Sequence, residues 1–185
     1  MTILKNRKAL WAGFGLLVVL LLALSYFFGF KSNKQTKPVT VEQGETAYVA
    51  DYKEGVYKVD DHWLKISAAE KRAPGEAEYI NNEWRGDVSG DGWEDVVFWF
   101  RDDTEGSGTF YYVTVALNTI DGFIGTKSYF VGDRIKPISL NYQNGEIVVE
   151  YKDRAAGEPM AKAPTEEKKL KLHYDSESKA LELIN

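Results

Sequence analysis

Two neighbouring segments, residues 96–101 (VVFWFR) and 109–118 (TFYYVTVALN), decide the fold that this sequence predicts. Both are dense in β-branched and aromatic side chains, which pack well on the pleated surface of a β-strand. Residues 102–108 between them predict a hairpin with a flexible tip. Because the aromatic run Phe98-Trp99-Phe100 is continuous, aromatic side chains must line both faces of this hairpin. One face can be core, and the other is either covered by further strands or available to a peptide, glycan or protein partner.

Short segments with a hydrophobic period of two continue on both sides of the hairpin, and none after residue 31 has a helical period with caps. Asp60-Asp61 and Asn144-Gly145 are typical of tight turns between strands. We therefore expect a mainly β domain, an antiparallel β-sandwich or open barrel, preceded by one N-terminal transmembrane helix. Further strands are predicted at residues 48–52, 56–59, 63–66, 123–131, 135–142, 146–151, 168–174 and 180–184, with long loops at 67–78 and 153–165.

The N-terminus is typical of a membrane anchor. Residues 1–8 carry three basic side chains and no acid, and residues 9–30 form an uncharged run of 22 residues. A helix of that length reaches about 33 Å, enough to cross a bilayer core of about 30 Å. We interpret residues 1–8 as a cytoplasmic tail, 9–30 as a transmembrane signal anchor, 31–44 as a linker, and 45–185 as an extracytoplasmic β domain. The alternative is a cleaved signal peptide, with small residues at Ala23-Leu24-Ser25 and a secreted product.

Composition excludes several classes of function. Beyond residue 30 the chain has 20 basic and 28 acidic residues, a net charge of −8, which disfavours nucleic-acid binding. The sequence has no cysteine, which excludes disulfides, an acylated lipobox cysteine and thiolate metal sites.

The acidic segment 87–95 (DVSGDGWED) has the spacing of a calcium-binding loop. A calcium ion takes six to eight oxygen ligands, and alternate residues of a tight glycine turn can point their oxygens inward. The expected ligands are the side chains of Asp87, Ser89, Asp91 and Asp95, with the backbone carbonyl of Trp93. An EF-hand fits poorly, because the twelfth position is a phenylalanine and a strand follows. The alternative is an ordinary Asp/Gly turn whose carboxylates cap backbone amides.

Other side chains give weaker signals for chemistry. Ser107 lies in a loop between strands, where a catalytic serine or a phosphate-binding loop is not expected. His62 and His173 are isolated and do not have the spacing of zinc ligands. A hydrolase would need Asp133, Arg134 and Glu158 to converge with the acidic loop, with carboxylates about 5–9 Å apart. Structural ion pairs are the simpler interpretation of these charges.

Five segments together resemble a group of uncharacterised exported or membrane-anchored bacterial proteins. They are residues 86–92 (GDVSGDG), 106–113 (GSGTFYYV), 125–126 (GT), 131–135 (VGDRI) with Pro137, and 153–160 (DRAAGEPM). In that group the acidic loop usually has asparagine where this chain has Ser89, which keeps an oxygen ligand but weakens the site. The loop is also similar to the single calcium loops of integrin-type repeats. The resemblance implies export and brings no established activity.

Two hypotheses follow from the sequence. The first is a non-enzymatic, membrane-anchored extracytoplasmic domain that binds a protein, peptide or glycan and carries a structural calcium site. The second is an envelope hydrolase that uses the carboxylates named above.

Overall fold

The computed structural model describes residues 48–103 and 106–184, which fold into a mainly β domain as the sequence predicts. Two short 3-10 turns, Tyr52–Glu54 and Ala69–Lys71, interrupt the strands. No helix among the described residues is long and apolar enough to cross a membrane. The predicted anchor and linker lie outside the described residues.

The strands are β1 Tyr48–Val49, β2 Val56–Val59, β3 His62–Ser67, β4 Ala77–Gly86, β5 Asp95–Asp102, β6 Phe110–Thr119, β7 Gly122–Gly125, β8 Tyr129–Asp133, β9 Lys136–Gln143, β10 Glu146–Asp153, β11 Glu166–Asp175 and β12 Ala180–Leu183.

The first sheet has the strand order β1-β7-β6-β5-β4-β3-β2, with β8 also paired to β6. Its pairs are antiparallel except β3 and β4, which run parallel with Ile66 opposite Ala77. The sheet curls into a half-barrel, because its edge strand β2 returns to the segment that follows β7. There the amide of Lys58 donates to the carbonyl of Thr126 (3.1 Å) and its carbonyl accepts from the amide of Ser128 (2.8 Å).

The second sheet has the order β12-β11-β10-β9, and every pair is antiparallel. The predicted turn between β9 and β10 is confirmed, with Asn144 and Gly145 at φ 54° and 83°. These are left-handed conformations that asparagine and glycine adopt most readily. Lys127 connects the two sheets, since its amide donates to the carbonyl of Lys179 (3.0 Å) and its carbonyl accepts from the amide of Leu181 (3.3 Å).

Strand β5 is buried on both faces. Val97 and Trp99 belong to one hydrophobic cluster with residues of the second sheet such as Ile147 and Leu172. Phe98 and Phe100 belong to another cluster, which includes Tyr57 and Ile66 of the curled sheet. All of these side chains are at most 1% exposed. The aromatic side chains of β5 are therefore covered on both faces of the sheet.

The structure corrects three details of the predicted strand pattern. Strand β4 was not predicted, because the polar pair Asn81-Asn82 interrupts its alternation, and the structure places a bulge between Ile80 and Glu83 there. The single strand expected over residues 123–131 is divided into β7 and β8. Tyr52 lies in a 3-10 turn rather than in a strand.

Candidate functional site

The Asp87 side chain organises the acidic loop by accepting hydrogen bonds from backbone amides of the loop. One carboxylate oxygen accepts from the amides of Gly90 (2.7 Å) and Asp91 (3.1 Å), and the other accepts from Gly92 (3.0 Å). Gly90 and Gly92 have φ values of 80° and 89°, which a side chain would strain. The sharp glycine bend expected from the sequence is present.

Asp95 attaches the loop to the sheet. It is fully buried, and its Oδ2 accepts from the amides of Val88 (3.1 Å) and Ser89 (2.9 Å), while Oδ1 accepts from Asn118 (2.9 Å) on β6. Charge-assisted bonds of this kind compensate for burying a carboxylate. Asp95 therefore has a structural role, whether or not a cation binds the loop.

The remaining predicted ligands divide between exposed and buried positions. Asp91 is exposed and accepts from the amide of Trp93 (2.9 Å). The Trp93 side chain is 47% exposed, and the Ser89 hydroxyl is buried without a hydrogen-bond partner. Within the described residues, no three His, Cys, Asp or Glu side chains are grouped as a metal site. The loop thus folds on its own hydrogen bonds, but the unpaired Ser89 oxygen fits the predicted ligand set. Calcium binding stays a prediction.

The charged residues of the predicted hydrolytic site stabilise loops. Asp133 accepts from the amide of Thr109 (2.9 Å), and the Arg134 guanidinium donates to the carbonyl of Ser107. Glu158 forms an ion pair with Lys162 and accepts from the amide of Ala155 (3.3 Å).

These charges do not lie beside the acidic loop. Asp133 is opposite Phe110, which is opposite Asp102 at the end of β5, whereas Asp95 begins that strand. Seven residue steps along a strand span about 23 Å, well beyond the separation of a catalytic carboxylate pair.

A cleft of about 340 Å³ lies at the end of the curled sheet where the β2–β3 turn meets the ends of β5 and β6. This volume is in the range of small-molecule sites. The lining combines aliphatic and aromatic side chains with two carboxylates and one imidazole. No lysine or arginine is among the described residues that line it. They are Val59, Asp60, His62, Leu64, Gly75, Asp102, Phe110 and Tyr112.

Tyr112 contributes both an aromatic ring and a hydroxyl group to the residues that line the cleft. Its side chain is 8% exposed and its ring stacks on Phe100, with centroids 5.0 Å apart. Burial, together with the negative charges of Asp102 and Asp60, raises its pKa to about 12. The hydroxyl is therefore a neutral donor at pH 7, and none of the described residues forms a hydrogen bond with it.

No sequence pattern predicts this cleft. Asp60 was predicted as a turn residue, and the structure confirms this. Its φ is 50°, and the turn places Val59 of β2 opposite His62 of β3. Its proximity to Asp102 and Tyr112 depends on the curl of the sheet, which no local sequence pattern reports. The one unusual feature that the sequence shows at this place is an acidic turn directly followed by a histidine.

A second polar cluster, also missed, lies at the β4 bulge. Glu83 Oε2 accepts from the hydroxyls of Tyr52 (2.7 Å) and Tyr79 (2.5 Å), while Arg85 Nε donates to Oε1 (2.9 Å). Burial would raise the pKa of Glu83, but the bonds from Tyr79, Tyr52 and Arg85 outweigh it and lower that pKa. Both oxygens of the Glu83 carboxylate accept hydrogen bonds, and the cluster joins the Tyr52–Glu54 turn to β4.

Comparison with known proteins gives no family or function for these residues. No protein-family model matches the chain, and no curated protein and no solved structure matches it significantly.

Proposed function

We propose that this chain is a non-enzymatic binding module, held at the outer face of a membrane by its N-terminal segment. The observation that supports binding is the cleft between the β2–β3 turn and the ends of β5 and β6. It combines aliphatic and aromatic side chains with a few polar groups, as small-ligand sites do. Its occupant could be a free small molecule or part of a peptide or glycan.

Binding is favoured over hydrolysis by the positions of the charges. The carboxylates of the acidic loop and Asp133 lie at opposite ends of β5, and Glu158 is committed to Lys162. A hydrolase built from these residues would need them to converge on one bond.

The anchor is supported by the sequence. The 22 uncharged residues 9–30 are long enough to span a bilayer, and the basic residues 1–8 favour a cytoplasmic N-terminus. Cell fractionation tests this. We expect the full-length chain in the membrane fraction, extracted by detergent but not by high salt. A soluble exported form lacking about the first 25 residues would instead support signal cleavage.

Calcium is proposed as a structural ligand of the acidic loop, without a role in the cleft. Its support is the oxygen spacing of Asp87, Ser89, Asp91 and Asp95, and the buried, unpaired Ser89 hydroxyl.

Nuclear magnetic resonance of the full-length chain in detergent micelles tests the binding function. The protein is titrated separately with choline, glucose and a dipeptide as representatives of amines, glycans and peptides. We expect at least one compound to shift the resonances of Asp60, His62 and Tyr112 saturably. The resonances of Asp87 and Asp91, at the other end of β5, serve as the internal control. If none of the compounds shifts the cleft resonances, the binding proposal is wrong.

A further inference from the structure

We propose that the end of the domain formed by the acidic loop and the β6–β7 turn rests on the lipid bilayer through the exposed side chains of Tyr48, Trp93 and Ile120. These three side chains are called the apolar tip. The inference rests on the proposed N-terminal anchor and adds the surface with which the anchored domain contacts the membrane. The cleft lies at the opposite end of β5 and takes no part in this contact.

Trp93 and Ile120 lie on two loops at the same end of the first sheet. The acidic loop precedes β5 and the turn follows β6, and the amide of Asn118 donates to Asp95 (2.9 Å) where these two strands meet. Trp93 is 47% exposed and Ile120 is 86% exposed. Tight turns usually carry glycine, proline, asparagine, aspartate or serine. Large apolar side chains are therefore unusual at these two positions, and both leave apolar surface in contact with water.

The chain enters the domain near this end. Tyr48 of β1 is 48% exposed and lies opposite Ile124 of β7, which is opposite Leu117 of β6. Leu117 is two residues from the end of β6, so Tyr48 is about 7 Å from the level of the turn. Asp133, at the other end of the sheet, is opposite Phe110, about 23 Å from Leu117 along β6. The N-terminal segment therefore joins the domain nearer to the apolar tip than to the cleft.

The proposed anchor makes a small contact area sufficient. Residues 31–47 separate the anchor from β1 and reach at most about 60 Å when fully extended, so the anchored domain stays within that distance of the bilayer. A tethered group binds intramolecularly, and its high effective concentration compensates for weak contact. Three side chains are too few for a separate protein partner, since stable protein interfaces bury about 800 Å² on each side. The bilayer is therefore the occupant that fits this tip.

The chemistry of the apolar tip matches the boundary between lipid headgroups and acyl chains. Tryptophan and tyrosine are enriched there, because their rings are apolar while the indole N–H and the phenol O–H reach polar groups. Ile120 adds an aliphatic side chain that can enter the same boundary. The neighbouring side chains of Asp91 and Asp121 are exposed and repel anionic headgroups. We therefore expect the tip to prefer zwitterionic lipid.

The chain has no cysteine, so single fluorescent labels test the inference. Full-length Ile120→Cys and Met160→Cys variants are labelled with nitrobenzoxadiazole and reconstituted in phosphatidylcholine vesicles with chelator. Met160 is the matched control, because it is 43% exposed and lies in the loop after β10, where Arg154 Nη1 donates to the carbonyl of Asp133 (3.4 Å) at the other end of the sheet. We expect nitroxide lipids to quench the label at position 120 at least about fivefold more strongly, since interfacial apolar groups lie roughly 5–10 Å deep.

The outcomes separate bilayer contact from the anchor. Equal quenching of both labels, or of neither, in a chain that floats with the vesicles would overturn the proposed contact while the anchor stands. A label at position 120 that is shielded from water but not quenched by nitroxide lipids would also overturn it, because a second copy of the chain would then cover the tip. A chain that does not float with the vesicles would overturn both proposals. Stronger quenching on vesicles with phosphatidylglycerol would contradict contact through this acidic end.

Trp93→Ser in the labelled Ile120→Cys chain tests the second side chain of the tip. The Trp93 amide that donates to Asp91 (2.9 Å) belongs to the backbone, so this loop bond remains. We expect quenching to fall at least about twofold, because apolar surface that enters the bilayer is lost, with an unchanged melting temperature. Met160→Ser is the control and should leave the quenching unchanged. The same quenching in both variants would show that Trp93 does not contact lipid and would overturn the proposed tip.

Discussion

Asp95 is the carboxylate on which the acidic loop depends. It is fully buried and accepts from three amides, two in the loop and one on β6. We expect Asp95→Ala to lower the free energy of unfolding by roughly 3–5 kcal/mol, because buried donors lose a charged partner. Urea denaturation measures this change. Asp91→Ala is the control, and we expect about 0.5 kcal/mol or less, since Asp91 is exposed and forms one local bond. Equal losses in both variants would contradict the structural role of Asp95.

Glu76 is held in its charged form by three hydrogen-bond donors. Its carboxylate accepts from Lys65 Nζ (2.5 Å), Ser67 Oγ (2.6 Å) and the amide of Ala73 (3.1 Å). The bond from Lys65, followed by that from Ser67, lowers the pKa of Glu76 to about 2 from an ordinary value of 4.5. A lowered folded-state pKa stabilises the protein above the unfolded pKa, and this stabilisation is lost as pH falls through the folded pKa.

We therefore expect Glu76 to stabilise the wild type fully at neutral pH and progressively less between pH 4.5 and about pH 2. Glu76→Gln should be less stable at neutral pH, and its difference from the wild type should shrink on acidification. Urea midpoints measured across this range provide the test. Glu70→Gln, at an exposed position, is the control. A difference that is independent of pH would show that the carboxylate charge does not matter.

The sequence predicted the conformations of single residues better than their long-range partners. The tight turns at Asp60 and Asn144 could be predicted from local backbone preferences. The glycines of the acidic loop could be predicted from the positive φ values that its sharp bend requires. In contrast, the bonds from Asn118 to Asp95 and from Tyr52 to Glu83 join residues more than 20 positions apart. Such pairs depend on which strands become neighbours, and side-chain type alone does not determine this.

At the level of strands, closure of the half-barrel depends on Gly125. A Cβ atom there would lie 2.0 Å from the carbonyl oxygen of Val56, at the point where β2 meets the segment after β7. The clash is with backbone, so a side-chain rotation does not relieve it. We expect Gly125→Ala to cost about 3 kcal/mol or more by forcing these segments apart.

Ser128→Ala is the matched control for this closure. Ser128 lies in the same segment, and its buried hydroxyl has no hydrogen-bond partner, so its removal should change the free energy of unfolding by less than about 1 kcal/mol. Urea denaturation of both variants gives the comparison. A stable Gly125→Ala variant would mean that β2 does not pack so closely in the folded chain.

The strands that were predicted and those that were missed differ in their sequence pattern. Strands β5 and β6 each have a central run of mainly apolar residues that is buried on both faces, so their assignment was straightforward. Strand β4 has few buried positions, and its bulge shifts the alternation at Asn81-Asn82. A bulge changes the face on which the following residues lie, so a search for a strict period of two fails there.

For the whole molecule, the two hydrophobic clusters explain why a chain without cysteine can be stable. One cluster lies between the curled sheet and the second sheet, and the other lies inside the curl. Burial of each large apolar side chain contributes about 1.5–3 kcal/mol, which offsets the conformational entropy lost on folding. The composition indicated one domain with its own core, but the division of that core into two clusters depends on the curl.

Calcium bound at the acidic loop should stabilise the entire domain. Three carboxylates, Asp87, Asp91 and Asp95, lie within nine residues of sequence, and a cation that binds only the folded loop would shift the folding equilibrium. Extracellular sites have affinities of about 0.1–1 mM, and Ser89 supplies no charge. At calcium concentrations about tenfold above the dissociation constant, we expect a gain of about 1.4 kcal/mol, which corresponds to an increase in melting temperature of about 3–5 °C.

Melting temperatures measured in calcium, in magnesium and in chelator test this expectation. The variant Asp91→Asn is the decisive comparison, because it keeps an oxygen that can accept from the Trp93 amide while removing one negative charge. Its melting temperature in chelator should match or slightly exceed that of the wild type, and most of the increase with calcium should disappear. Magnesium should have little effect, because it demands a smaller and more regular shell of oxygens. A wild-type melting temperature that is the same in calcium and in chelator would mean that the loop is an Asp/Gly turn whose carboxylates serve only its own amides.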